Sequence, residues 1–487
     1  MPTNILLILI DDLGWTDLAC YGSAFYDTLN LDRLAGEGML FTDAYSSCPV
    51  CSPTRASIMS GKYPARVGVT QYIPGHAIGR LQDVPYFHGL PTSEYSIAAA
   101  LRDGGYQTWH VGKWHLGGAR TTPERHGFEV NIAGLGWGMP QHGYFSPYGM
   151  ANLTDGEEGE YLTDRLTDEA INLIEARDSS RPFFLNLAHY AVHIPIQPPP
   201  GLVDKYRERA VDLGLDKQDV IVEGEPFGCE HLRGERVLRR IRQSDAAYAA
   251  MVENLDANIG RVLDCLAEQG LDDNTLVLFT SDNGGVATSN RREGVPTSNA
   301  PLAEGKGWMY EGGTRVCQIA RLPGFVEPGS VCRIPVTSTD IYPTFLDIAD
   351  CPPRPDQHRD GVSLVPLFRG ESSLGREAIF WHYPHYANQG GRPAGAVRRG
   401  DWKLIQHFED DRVELFNLRD DEGETTDLAA ARPGVVRELH GLLSGWQQEI
   451  EALIPSRIRT TGRLPSNRGS IRPRFRSRAV DVQGTGS

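Results

Sequence analysis

The sequence predicts an α/β protein: a large, mostly parallel central sheet packed between helices, then a smaller C-terminal α+β domain with an antiparallel sheet. Three observations predict it. Short continuous apolar runs such as Asn4–Ile10 read as strands buried on both faces. These runs alternate with stretches whose apolar residues recur at helical spacing, as a parallel sheet with crossover helices requires. Near residue 375 the alternation gives way to short strands separated by turn residues.

Taken in order, Asn4–Ile10 is the first core strand. Asn30–Glu37 is a short helix closed by Gly36 and Gly38, and Met39–Tyr45 is a second strand. Ala56–Ser60 has helical composition and stops at Gly61. Ser96–Arg102 is helical, Gln107–Val111 extended, Leu162–Ala176 an amphipathic helix and Pro182–Leu187 a buried strand. Ile241–Gln269 is a long amphipathic helix ended by Gly270, and Asn274–Thr280 is again a core strand. Beyond these, Ala378–Tyr383, Ala394–Arg398, Lys403–His407 and Val413–Phe416 form the antiparallel set, with a helix over Val435–Ala452. The division expected is a large domain over 1–375, a small one over 376–454 and a tail over 455–487; the charged, Gly-rich stretch from 199 to 234 is an excursion near the site mouth.

Composition excludes several classes of function. A formal net charge of -15 repels nucleic acid and anionic membranes, so neither is an expected partner. No stretch approaches the roughly 20 apolar residues of a membrane span. The apolar run at the N-terminus lacks a basic leader and meets Asp11-Asp12 at once, so the chain as it stands is expected to be cytoplasmic, or periplasmic or secreted if an export signal has been removed. Eight scattered cysteines do not make a disulfide framework.

Six short segments carry chemistry. Asp11-Asp12 lies just past a core strand, where open α/β sheets bind ligands; a turn cap with one solvated carboxylate is the plainer alternative. Ser281-Asp282-Asn283-Gly284-Gly285 follows another strand and offers hard oxygen donors suited to Ca²⁺ or Mg²⁺, though Asp-Asn-Gly is also a common turn. Cys51-Ser52-Pro53-Thr54-Arg55 precedes a short helix. A thiol there, beside an arginine, is expected to have a lowered pKa, unless it is simply a small buried apolar group; an unmodified cysteine nucleophile for phosphate or sulfate esters also fits. In Gly112-Lys113-Trp114-His115-Leu116-Gly117, Lys113 and His115 are two apart and share a face if extended, pairing a cation with a titratable imidazole. His110 is a packed strand residue. His193 follows the strand Phe183–Leu187 and precedes a Pro-rich turn; His189 is its competitor, unless it is simply packed in the core. Lys306 stands ahead of Glu311-Gly312-Gly313-Thr314-Arg315, whose glycines permit close backbone approach; taken alone, Lys306 reads as a solvated loop lysine.

In order and identity these motifs resemble the formylglycine-dependent sulfatase family of the alkaline-phosphatase-like superfamily. Cys51–Arg55 is similar to that family's C-x-P-S/T-R signature, with Thr54 where serine is commoner; Val192 replaces the usual proline before His193. The resemblance implies an alkaline-phosphatase-like sandwich and arylsulfatase-type hydrolysis of sulfate esters. It implies that Cys51 is converted to formylglycine by a formylglycine-generating enzyme, and that Asp11, Asp12, Asp282, Asn283 and residue 51 bind one Ca²⁺, with Mg²⁺ or Mn²⁺ as alternates. Arg55, Lys113 and Lys306 would surround the sulfate, His193 would protonate the leaving alcohol, and His115 would accept a proton from the position-51 hydrate. The nearest rival on the same scaffold is a phosphonate monoester or phosphodiester hydrolase; Asn283, in place of a histidine ligand, leans toward sulfate.

Residues 455–487 hold eight arginines and one acid, and without them the rest of the chain carries -22. Such a tail finds its nearest acidic partner in a second copy of the chain, so a homo-oligomer is expected.

Overall fold

The computed structural model describes residues 2–458. From residue 459 on, the Arg-rich segment and the subunit contact expected of it lie outside the described residues. The main path of the central sheet runs through β1 (Asn4–Ile10), β2 (Met39–Tyr45), β3 (Gln107–Gly112), β4 (Val130–Ile132), β5 (Phe183–Ala188), β6 (Thr275–Ser281), β7 (Arg315–Arg321) and β8 (Ser330–Cys332). Their order is β8-β2-β7-β6-β1-β5-β3-β4, with the short pair Val336–Thr337 also on β2 to complete nine strands. β7 runs antiparallel to both its neighbours and every other pairing is parallel.

The uninterrupted apolar run of β1 follows from its central place. Leu6, Ile8 and Ile10 enter one core with α1 (Leu29–Glu37), α4 (Leu162–Glu175) and α5 (Ala246–Glu268). Ile5, Leu7 and Leu9 enter the other with α2 (Cys51–Ser60), α3 (Ile97–Asp103) and α6 (Ile341–Ile348). Alternate side chains of one strand thus fill two cores, each buried aliphatic group contributing about 1.5–3 kcal/mol. A separate antiparallel sheet follows: β9 (Ile379–Tyr383), β10 (Ala394–Arg399), β11 (Trp402–His407) and β12 (Val413–Asn417), with α7 (Pro433–Glu449) packed on it.

Three expectations need correction. The helix expected from Ala56 begins at Cys51, because Pro53 sits in a first turn that tolerates it and Gly61 closes the other end at φ 67°. The long helix expected from Ile241 begins at Ala246, where Asp245 caps it by accepting from the N–H groups of Ala247 and Tyr248. The stretch read as an excursion holds a helix, Val203–Asp212, and a strand, Ile221–Pro226; the strand joins Arg236–Arg240 and Thr288–Ser289 in a small third sheet. The eight cysteines are all free. No helix among the described residues is long and apolar enough to cross a membrane.

Candidate active site

The carboxyl ends of β1, β3, β5 and β6 lie side by side, and the segments leaving them build one buried constellation. From β1 come Asp11 and Asp12, from β6 Asp282 and Asn283, from β3 Lys113 and His115, and from the turn after β5 His193. Helix α2 brings Cys51 and Arg55 from the side. The backbone at two of these residues is left-handed, Asp12 at φ 64° and His115 at φ 54°, a strain that surrounding structure must hold. Gly112, at φ 101°, ends β3 so closely against β5 that a Cβ there would meet the Ala188 carbonyl oxygen at 2.0 Å. Only glycine lets the chain turn Lys113 inward at that point.

Lys113 Nζ lies 2.5 Å from Asp11 Oδ2, and Lys306 Nζ lies 2.6 Å from Asp12 Oδ1. Arg55 Nε donates to Asp282 Oδ2 at 2.8 Å and one Nη to the Lys113 carbonyl at 2.8 Å. Three buried carboxylates therefore face three buried cations. Burial pushes Asp11 up to about 7, with Lys113 pulling the other way. At Asp12 burial acts in the same sense, but Lys306, His193 and Lys113 outweigh it and hold the carboxyl well below the usual range. Lys306 is correspondingly held above its ordinary value: burial opposes its charge, and Asp12, Cys51 and Asp11 together more than offset it.

His115 Nδ1 lies 3.2 Å from Cys51 Sγ, while its Nε2 lies 2.6 Å from the Ile73 carbonyl oxygen. A carbonyl only accepts, so Nε2 carries the hydrogen and the Nδ1 lone pair faces residue 51. Burial, with Lys113 nearby, keeps this imidazole well below its ordinary pKa and hence neutral. The lowered thiol pKa expected for Cys51 is not found. Burial raises it, outweighing Lys113 and Lys306, and the Arg55 guanidinium is committed to Asp282 and the Lys113 carbonyl.

His193 Nε2 lies 3.5 Å from Asp12 Oδ2, and its Nδ1 is 2.9 Å from the Ile194 carbonyl. His189 is buried with neither ring nitrogen hydrogen-bonded. His110 is a packed strand residue, bonded to the Gly112 carbonyl and the Asn186 amide.

The donor set fits a hard divalent cation. One ligand atom each from Asp11, Cys51 and Asp282 lies within 4.8 Å of the other two, and Asp11, Asp12 and His193 overlap under the same limit. Asn283 donates its amide hydrogens to Asp12 Oδ1 and the Gly284 carbonyl, at 2.8 and 3.0 Å. Its Oδ1, like Asp11 Oδ1, is buried without a hydrogen-bond partner. Unsatisfied buried acceptors are costly, and a cation would satisfy both. Arg55 Nη2 is a buried donor in the same position, suited to an anionic oxygen.

Sequence reasoning did not find every group the site depends on. The Ile73 carbonyl that orients His115 carries no side-chain signal. Asp17, five residues past Asp12, accepts from Gly14 N–H, Tyr248, Thr297 and Gln243 and pins the turn after β1; the aspartate spacing alone could have flagged it. Tyr144 is fully buried with its hydroxyl 2.8 Å from both the Tyr190 and His193 carbonyl oxygens, so it supports the histidine turn. Glu311 and Arg315 face away from the chemistry into a buried ion cluster with Lys403.

A parallel-sheet sandwich with oxygen donors, a thiol and three cations at its strand ends defines a hydrolase for anionic esters, and comparison with known proteins makes that class specific. The family model described as Sulfatase matches residues 3–351, and one described as N-sulphoglucosamine sulphohydrolase, C-terminal, matches 304–448. A sulfatase of Formosa agariphila is 32% identical over 88% of this chain and 85% of its own length. Human N-acetylgalactosamine-6-sulfatase is 30% identical, covering 93% of this chain and 87% of its own. The crystal structure of Ps i-CgsB in complex with k-i-k-neocarrahexaose superposes with a TM-score of 0.74 at 28% identity, covering 95% and 96% of the two chains. The chain belongs to the sulfatase family. It is a sulfuric ester hydrolase on an alkaline-phosphatase-like α/β scaffold.

Proposed function

We propose that this sulfatase works through residue 51 as formylglycine, beside a Ca²⁺ held by Asp11, Asp12, Asp282, Asn283 and residue 51 itself. The observation that carries this reading is the convergence of the Cys51 side chain, three carboxylates and three cations in one buried site. With both groups in place, the cation and the hydrated aldehyde supply a nucleophilic hydroxyl and a Lewis acid against the sulfate.

The chain's own residues supply the rest. Arg55, Lys113 and Lys306 hold the sulfate oxygens and stabilise charge as it develops there. Adding a dication to three balanced ion pairs leaves positive charge that an anionic ester offsets. His193 is held near pKa 3 by burial first, with Asp12 pulling the other way and Lys306 and Lys113 acting in the same sense as burial. A bound anion raises its proton affinity, so the imidazole takes up a proton as substrate binds and returns it to the departing alcohol. His115, whose Nδ1 lone pair faces residue 51, would be the group that accepts a proton from the position-51 hydrate. Because Cys51 and all of α2 are buried, conversion by a formylglycine-generating enzyme has to precede closure of the fold.

The relatives that act on sulfated sugars make such sugars the first substrates to try, beside aryl and alkyl sulfates. The test compares these esters with phosphonate monoesters, using wild type and Cys51→Ser. Sulfate release by wild type, with no multiple turnover by the serine variant, is expected. Preferred turnover of phosphonate, or a serine variant that turns over like wild type, would overturn the reading.

A further inference from the structure

We propose that Ser52 is a positioning residue that fixes the orientation and tautomer of His115. The proposal rests on the reading of His115 as the base serving residue 51. Ser52 is fully buried in the first turn of α2. Its hydroxyl donates to the His115 carbonyl oxygen at 2.9 Å and accepts from the Ile73 N–H at 3.1 Å. The His115 ring spans the same two residues, with Nε2–H on the Ile73 carbonyl at 2.6 Å. Residues 73 and 115 are thus tied twice, once through the Ser52 hydroxyl and once through the imidazole.

Each tie depends on the other. The left-handed backbone of His115 has no intrinsic preference for its conformation, so the hydrogen bond on its carbonyl helps hold it. Ile73 spends its N–H on Ser52 and its carbonyl on His115, so the acceptor for Nε2 stays in place only while the N–H is held. That acceptor keeps the hydrogen on Nε2 and leaves the Nδ1 lone pair 3.2 Å from the residue-51 side chain. Without the hydroxyl, a buried N–H and a buried carbonyl lose their partner. The peptide at Ile73 then turns to find another, and the imidazole hydrogen is free to sit on either nitrogen.

The test uses the full chain with Ser52→Ala and Ser52→Thr. Nitrogen-15 NMR of the His115 ring, assigned by its loss in His115→Gln, is recorded in a Cys51→Ala background so that conversion of the cysteine plays no part. A single Nε2–H tautomer is expected with serine or threonine at 52, and a mixture with alanine. In the otherwise native chain, with mass spectrometry showing equal conversion of residue 51, Ser52→Ala should lower kcat about 10- to 100-fold and leave KM within about twofold. Ser52→Thr should recover most of that loss. An unchanged tautomer in Ser52→Ala, or a loss expressed only in KM, overturns the proposal. If His115→Gln itself keeps full kcat, the assignment of His115 as base fails instead, and the tautomer spectra still decide the role of Ser52.

Discussion

Replacing Lys403 by methionine removes the cation that joins the C-terminal sheet to the segment carrying Lys306. Lys403, on β11, is fully buried, with Nζ 2.8 Å from Glu311 and 2.9 Å from Glu424. Glu311 also accepts from Tyr45 at 2.7 Å and Arg315 at 2.6 Å, and Glu424 accepts the Glu311 N–H at 2.6 Å. Together with Asp43 and Arg398 the cluster holds three acids and three bases, so the methionine variant leaves one buried negative charge uncompensated. Breaking a buried pair in this way costs about 3–5 kcal/mol.

The cost depends on pH, and its sign follows from Glu424. Burial raises that carboxyl from 4.5 to about 7 although Lys403 pulls it down, so removing Lys403 raises it further. A carboxyl raised in the folded state contributes its stability below the unfolded value, and that contribution is lost as pH rises through the folded one. The deficit of Lys403→Met is therefore smaller at pH 5 and grows through pH 7 to 8. Urea unfolding followed by far-UV circular dichroism at both ends of that range measures it. A deficit below about 1 kcal/mol at pH 8, or one equal at both pH values, would refute the reasoning.

Two further outcomes concern the catalytic centre. Chelation should abolish turnover, with Ca²⁺ and to a lesser degree Mg²⁺ restoring it and zinc a poor substitute, because the donors are oxygens; zinc bound through cysteine or histidine in anomalous scattering would contradict the ligand set. Arg55→Ala should leave Asp282 without its buried partner and cost at least about 100-fold in kcat/KM, read in steady-state assays; a loss under tenfold would mean that Arg55 is structural only.

The central sheet was legible because burial on both faces leaves a plain signature, as in Asn4–Ile10 and Thr275–Ser281. The C-terminal meander was legible through its turn residues. β7 was not, because Gln318 and the terminal arginines of Arg315–Arg321 break the apolar run where the strand meets polar partners. The start of α2 was hidden by Pro53, which reads as a breaker until it is placed in a first turn. The motif residues announced themselves by type and order. Asp11, Asp12, Asp282, Asn283, Cys51, Arg55, Lys113, His115, His193 and Lys306 do come together, whereas the main-chain groups that orient them, above all at Ile73 and Tyr190, have no side-chain code. The lowered thiol pKa failed for a related reason: sequence proximity of Arg55 to Cys51 says nothing of the commitment of that guanidinium to Asp282.

The most direct test of the account is the mass of the tryptic peptide containing residue 51, taken from protein that releases sulfate. The account predicts a peptide that has lost sulfur and two hydrogens and gained one oxygen, in a fraction that tracks specific activity across preparations. Full activity in protein whose residue 51 remains an intact cysteine thiol would contradict it.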